Sequence, residues 1–339
     1  MRPTIKSVAA AAGVSTATVS YVLSGRSGKE GGKSGSGVAP ATVLRVQQAA
    51  LALGYRPNQS ARAVRTGRTN LLMLSLTMIS DPWALDVSRA VGTAAAQRGI
   101  TPMILADTDW RVALKRQNAD VTFIDAADEP GDAELLAQAA KLQRLVVFSD
   151  TMDPDGFDVV RPVAGASCEL AVAHLTSRHE RVACLTAAPR SGNPISTRHR
   201  AYIEGLADAG LDYRDDYVER FALDSQSAFD AALRLLQRKD RPTAIYATTD
   251  FAAIAAIHAA QSLQLRVPED VEVLGIGNTT EGEYMAPSLT TVGPEGFFDG
   301  VAGFLLDRAE NPDAPTQVLE FPWKLIVRDS APCDPVSGV

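Results

Sequence analysis

The chain is poor in the residues that build metal sites, disulfide frameworks and most hydrolytic centres. Its 339 residues hold three cysteines and four histidines. Cys168, Cys184 and Cys333 are odd in number and widely spaced. That fits neither a disulfide framework nor a zinc knuckle, and it points to a reducing cytoplasm. His174, His179, His199 and His258 share no metal-ligand spacing, so no metal and no cofactor is expected. No Ser/His/Asp set or paired carboxylates converge by motif, which argues against an enzyme. No run of about 18 apolar residues is present to span a membrane, and the N-terminus lacks a signal-peptide pattern. The most telling scarcity is local. Residues 1–68 contain one acid, Glu30, against ten basic residues: Arg2, Lys6, Arg26, Lys29, Lys33, Arg45, Arg56, Arg62, Arg65 and Arg68. That segment carries +9, so the chain's net −7 leaves −16 for the remainder. A basic head on an acidic body suits contact with a phosphate polymer at one end only.

Thr4 to Leu23 reads as two short helices joined by a tight turn. Thr4 can cap the first, whose Ile5, Val8 and Ala9 share one face. Gly13 supplies the left-handed backbone of the turn and Val14 plugs the angle between the helices. Ser15 caps the second helix, with Val19, Val22 and Leu23 inward and Thr16, Ala17, Ser20 and Tyr21 outward. Small polar residues on an exposed first turn allow close approach to base edges in a major groove. A Gly/Ser-rich loop, 25–37, follows. It contains Ser27-Gly28-Lys29-Glu30-Gly31-Gly32-Lys33-Ser34, close to a nucleotide-phosphate loop, but without the first glycine or the preceding strand. A third helix is expected over Val38–Leu53, with Val43, Val46, Ala49, Ala50 and Leu53 as its stripe and Gly54 at its end. Gln59–Arg65 can form one or two helical turns, too short to hold without a partner.

From Leu71 the pattern alternates. Buried-strand runs are Leu71–Leu76, Pro102–Leu105, Val121–Ile124, Leu145–Phe148, Val182–Leu185, Ala244–Tyr246 and Val271–Ile276. Amphipathic helices lie between most of them: Leu85–Arg98, Ala133–Leu142, Cys168–Ser177, Thr197–Ala209, Ala228–Gln237 and Phe251–Leu263. The expected fold is α/β, with parallel sheets in two lobes and a ligand cleft between them.

Four motifs in this order resemble the LacI/GalR family of transcriptional regulators over nearly the whole chain. They are the Ile5–Ser20 headpiece; Leu53-Gly54-Tyr55-Arg56-Pro57-Asn58 followed by Ala61-Arg62; Arg266-Val267-Pro268-Glu269-Asp270-Val271 leading to Val273-Leu274-Gly275; and Pro287-Ser288-Leu289-Thr290-Thr291-Val292. The resemblance implies a helix-turn-helix headpiece at 1–57 and a hinge at 58–68. It implies a periplasmic-binding-protein-like body at 69–330, with 331–339 as a tail. The lobes would be about 69–156 plus 288–309, and 157–287 plus 312–330. By the same resemblance Thr16, Ala17 and Tyr21 read bases, while Thr4, Lys6, Ser15, Thr18, Ser24, Thr42 and Asn58 contact phosphates or position the head. Ala61, Arg62, Val64 and Arg65 fall in a hinge helix that wedges the minor groove, with Val64 as a lever shorter than the usual leucine. The partners implied are a near-palindromic double-stranded operator, a second copy of the chain and a small-molecule effector, with no membrane.

For the effector, Trp83, Arg200, Asp250 and Asn278 are the expected contacts. The family's Gly-Phe-Asp-Asp stretch is Gly275-Ile276-Gly277-Asn278 here, so the usual sugar-gripping aspartate is absent. A Val-Asp-Asn stretch is replaced by Val160-Arg161-Pro162, and Thr151 stands where an arginine often does. Loss of a carboxylate beside a retained arginine shifts the expectation from a neutral sugar toward a sugar-derived anion. The segment from Asp109 to Asp120 is short for the family, so one helix of the first lobe is expected to be clipped. The alternatives are a regulator with a degenerate pocket, effector-independent or controlled by a protein partner, and, more remotely, a solute-binding protein.

Overall fold

A computed structural model describes residues 3–23, 38–56, 63, 66–115, 119–127, 129–163, 165–188, 195–222 and 224–333. The chain divides into two compact units, Met1–Thr69 and Asn70–Val339. The 25–37 loop and residues Ser24, Asn58, Ala61, Arg62, Val64 and Arg65 lie outside the described residues.

The first unit holds α1 (Ile5–Ala12), α2 (Thr16–Leu23) and α3 (Pro40–Ala52). Pro40 opens α3, where its missing N–H costs no helical bond. The three helices enclose Val8, Ala9, Ala12, Val19, Val22, Val46 and Ala50, with Ile5, Val14, Leu23, Val43 and Tyr55 packed around them. Leu53, expected in the α3 stripe, is exposed. The helix ends at Ala52 and Leu53 turns out of its phase. Gly67 at φ 69° donates to the Ala63 carbonyl, a helix-ending geometry just past the expected hinge turns.

The second unit runs β1 (Leu71–Leu76), α4 (Pro82–Arg98), β2 (Thr101–Ala106), α5 (Arg111–Leu114), β3 (Val121–Ile124), α6 (Asp132–Ala140), β4 (Leu145–Phe148), β5 (Asp158–Val163), α7 (Gly165–Thr176), β6 (Val182–Ala187) and α8 (Thr197–Asp208). It continues through β7 (Val218–Phe221), α9 (Ser225–Leu236), β8 (Ala244–Ala247), α10 (Asp250–Ser262), β9 (Glu272–Ile276), α11 (Thr280–Tyr284), β10 (Thr290–Pro294), α12 (Phe297–Glu310) and β11 (Val318–Ile326). Among the described residues the strands join in the order β2-β1-β3-β4-β5-β11-β10-β9-β8-β6-β7. All neighbouring pairs are parallel except β10 with β11.

The strand runs are apolar because both faces are covered. Leu72, Leu74 and Leu76 of β1 meet Val87 and Val91 of α4 and Val301 and Leu305 of α12, while Ile124, Leu145 and Val147 meet Leu136 of α6 on the other face. In the other half, Ile245 and Val273 face α9 and α10, and Cys184, Tyr246 and Leu274 face α7 and α8. α5 is four residues long, the clipped helix anticipated from the short Asp109–Asp120 segment.

The halves trade more strands than the sequence suggested. Asp158–Val163 pairs with β4, so it belongs to the first half, whereas residues from 157 were expected in the second. Thr290–Pro294 pairs with β9 and belongs to the second half, whereas residues from 288 were expected in the first. The long strand β11 joins both: Val318–Pro322 lie beside β5 and Trp323–Ile326 beside β10. No helix among the described residues is long and apolar enough to cross a membrane.

Candidate nucleic-acid interface and ligand cavity

The headpiece is assembled by local hydrogen bonds that its sequence dictates. The Thr4 side chain accepts from the Ser7 N–H, and the Ser7 hydroxyl accepts from the Thr4 N–H at 2.9 Å, closing a capping box on α1. Gly13 at φ 65° ends α1, donating to the Ala9 and Ala10 carbonyls. Ser15 Oγ accepts from the Thr18 N–H at 3.1 Å and lies 2.9 Å from Thr18 Oγ1. These bonds fix the first turn of α2 with Thr16 and Ala17 exposed, Thr18, Ser20 and Tyr21 half-buried, and Val19 and Val22 in the core. Lys6 is exposed on α1. Thr42 is half-buried, 3.4 Å from the Arg45 guanidinium. The α2 N-terminus thus offers small side chains over a packed core, the shape and chemistry of a groove-reading helix.

The body contains a cavity of about 170 Å³ where the two half-sheets meet. Its walls are Asp81, Trp83, Asp125 and Phe148 from the first half, and Arg198, Thr249, Asp250, Ile276, Gly277, Thr279 and Trp323 from the second half and the shared strand. Trp83 and Asp250 stand where the sequence reading put them. Trp83 lies in the first turn of α4, its ring 5.0 Å from Phe148 and 5.9 Å from Phe297. Asp250 opens α10, fully buried. It accepts from the Thr279 N–H at 2.7 Å, the Thr279 hydroxyl at 3.0 Å and the Thr291 hydroxyl at 2.6 Å.

Two expected contacts are placed elsewhere. Arg200 is exposed, and the arginine that lines the cavity is Arg198. Two residues along a helix turn the side chain by about 200°, so only one of the pair can face inward. Arg198 donates to the Thr248 carbonyl at 2.8 Å and lies 5.3 Å from the centre of the Trp323 ring. Asn278 is absent from the cavity wall. Its amide donates to the Pro294 carbonyl at 3.2 Å and its carbonyl accepts from Arg328 at 2.9 Å. Gly277, read as a lost aspartate, has a conformational reason: its backbone is at φ 145°, which side-chain-bearing residues rarely adopt.

Sequence reasoning missed Asp81, Asp125 and Trp323. Asp81 caps α4 through the Trp83 N–H at 2.9 Å, a role its place before Pro82 signals. Asp125 follows β3 and accepts from Thr77 N–H and Oγ1, both at 2.8 Å. Among the described residues the wall therefore carries three carboxylates and one guanidinium, a balance that does not favour the expected anion. Burial pushes the Asp81 carboxyl up to about 6, with Asp250 and Asp125 adding to the rise and the Trp83 N–H and Arg198 opposing it. Burial likewise raises Asp250, against its three hydrogen bonds and Arg328. The described residues contain no His/Cys/Asp/Glu cluster able to hold a metal ion.

Residues 4–58 match the profile described as bacterial regulatory proteins, lacI family, and residues 172–331 match that of a periplasmic binding protein-like domain. The chain is a LacI-family transcriptional regulator. It is similar to the HTH-type transcriptional repressor PurR of Serratia proteamaculans, 29% identical over 338 residues and 96% of each chain. The PurR of Photorhabdus laumondii is 28% identical over the same share. Among solved structures, a LacI-family regulator from Silicibacter pomeroyi overlays with a TM-score of 0.76 at 20% identity, covering 98% of this chain and all of that one. The lac repressor dimer bound to operator and an anti-inducer overlays at 0.72 with 21% identity and the same coverage. Members of such a family are regulators rather than enzymes.

Proposed function

We infer that this LacI-family regulator is a repressor that works in the cytoplasm as a homodimer, reads a near-palindromic operator, and is switched by a small molecule held in the body cavity. The observation that carries the DNA half is the α2 first turn: Thr16 and Ala17 exposed over a self-contained core, on a segment of charge +9. Thr16, Ala17 and Tyr21 read bases. Thr4, Lys6, Ser15, Thr18, Ser24, Thr42 and Asn58 hold the backbone. Ala61, Arg62, Val64 and Arg65 form the hinge that enters the minor groove. The curated relatives named as repressors support the sign of the regulation. For the effector half, the cavity keeps charged groups, ring faces and an unpartnered indole N–H, which a degenerate pocket has no reason to retain.

Selection of bound fragments from genomic DNA by the full chain tests this reading. A near-palindromic site is expected. Tyr21→Ala and Thr16→Ala should each relax one position per half-site by about 1–3 kcal/mol. Lys6→Ala should weaken all sequences alike and flatten the salt slope. Equal effects of all three on selected and random DNA would remove the base-reading assignment.

A further inference from the structure

We propose that the body cavity takes a hydroxylated organic cation: a small polyol that bears an ammonium group. The proposal rests on the reading of that cavity as the effector site. Three carboxylates, Asp81, Asp125 and Asp250, converge on it, with Arg198 as the one cation of its wall among the described residues. Arg198 is already engaged by the Thr248 carbonyl and by the face of Trp323. An anion would meet three carboxylates for one guanidinium. A neutral polyol would leave their charge without a counter-charge from the ligand.

The carboxylates differ in what they have left to offer. Asp250 accepts three hydrogen bonds, and Asp125 is held by Thr77 through both oxygens. Asp81 accepts one bond, from the Trp83 N–H, and keeps acceptor capacity toward the cavity. An ammonium beside Asp81 also meets the rings of Trp83 and Phe148, whose faces attract cations most where water is excluded. The hydroxyl requirement comes from the opposite wall. Trp323 is 7% exposed, and its buried Nε1–H has no partner. A donor in that state calls for an acceptor from the ligand, and a ligand hydroxyl oxygen supplies one. The ligand is thus bipolar, with its cation toward Asp81 and its oxygen toward Trp323. Asp81, facing Asp250, Asp125 and Arg198, is held near 6, so it meets the cation as a carboxylate at pH 7 and as the neutral acid at pH 5.

Titration calorimetry on the full chain tests this with matched probes: glucosamine and Tris as cations, glucose and pentaerythritol as their neutral counterparts, and glucuronate as the anion. At pH 7 each cation should bind at least tenfold more tightly than its neutral counterpart, with no glucuronate binding. The cation affinity should fall by about tenfold at pH 5, as Asp81 gains its proton. Asp81→Asn keeps the helix cap and should erase the preference for each cation over its neutral counterpart. Neutral binding equal to cationic, or tighter glucuronate binding, overturns the ligand class and leaves the effector site standing. Failure of every probe also overturns the proposal. In that case, operator release by a low-molecular-weight cell fraction, lost in Trp83→Ala, would still support the effector reading. Absence of any such release would sink both.

Discussion

Little water reaches Asp81, and that sets a pH dependence. Its carboxyl sits near 6 in the fold against 3.8 for the ordinary group, so the folded chain binds the proton more tightly than the unfolded chain. Folding stability contributed by this group is therefore present at acid pH and declines as pH rises from about 4 to about 6. Asp81→Asn should raise the Tm at pH 7 and leave it unchanged at pH 4. A gain of about 1–2 kcal/mol is expected, since Asp81 is only partly buried and some solvent screening remains. Thermal unfolding at both pH values checks the sign; a loss at pH 7 would contradict it. Single residues were legible in the sequence where one local rule sufficed. Thr4, Gly13 and Ser15 declare caps and a turn, and Trp83 and Asp250 sit at helix starts. Arg198 and Arg200 were not separable by residue type. The helix phase, set by buried His199, Ala201, Tyr202, Gly205 and Leu206, chooses between them. The charge of the cavity escaped notice because its carboxylates come from three separate strand or helix ends.

Among the strands, β1, β2, β3, β4, β6, β8 and β9 were legible as mostly apolar runs, whereas β5 and β10, though buried, were not. β7 carries Glu219 and Arg220, and β11 holds Glu320, Pro322 and Lys324, so neither shows a clean period. The crossing of β5 and β10 between halves has no local signature at all, because pairing is decided by which neighbour covers an edge. α7 and α8 pack closely against one another. A Cβ on Gly205 would stand 2.8 Å from the Val172 Cβ, which the α7 backbone holds in place. No rotamer change relieves that clash. Gly205→Ala should destabilise the body by about 1–3 kcal/mol, read as a lower unfolding midpoint with the headpiece helices unaffected. An unchanged midpoint would mean that α7 and α8 can separate without cost.

Over the whole body, Asp86 makes one of the polar bonds that tie the two halves. From α4 of the first half its buried carboxylate accepts from the Thr280 N–H of α11 in the second half at 2.7 Å. Thr279, the preceding residue, is the one that binds Asp250 in the cavity. Two successive peptide groups therefore join the cavity to the seam between halves. Asp86→Ala leaves that amide without its acceptor, a loss of about 1–3 kcal/mol. Thr280 should then exchange its amide hydrogen tenfold faster or more, while amides in β8 keep their protection. Undiminished protection at Thr280 would show that the seam does not depend on Asp86. The strand β11 has a consequence of another kind. It changes partners between Pro322 and Trp323, so the indole sits where the strand passes from one half-sheet to the other. Trp83 faces the same space, and the third tryptophan, Trp110, lies apart beneath α6. Two of this chain's three tryptophans thus line one cavity. The protein carries its own optical gauge of occupancy, and Trp110→Phe should sharpen the spectral response to ligand without weakening it.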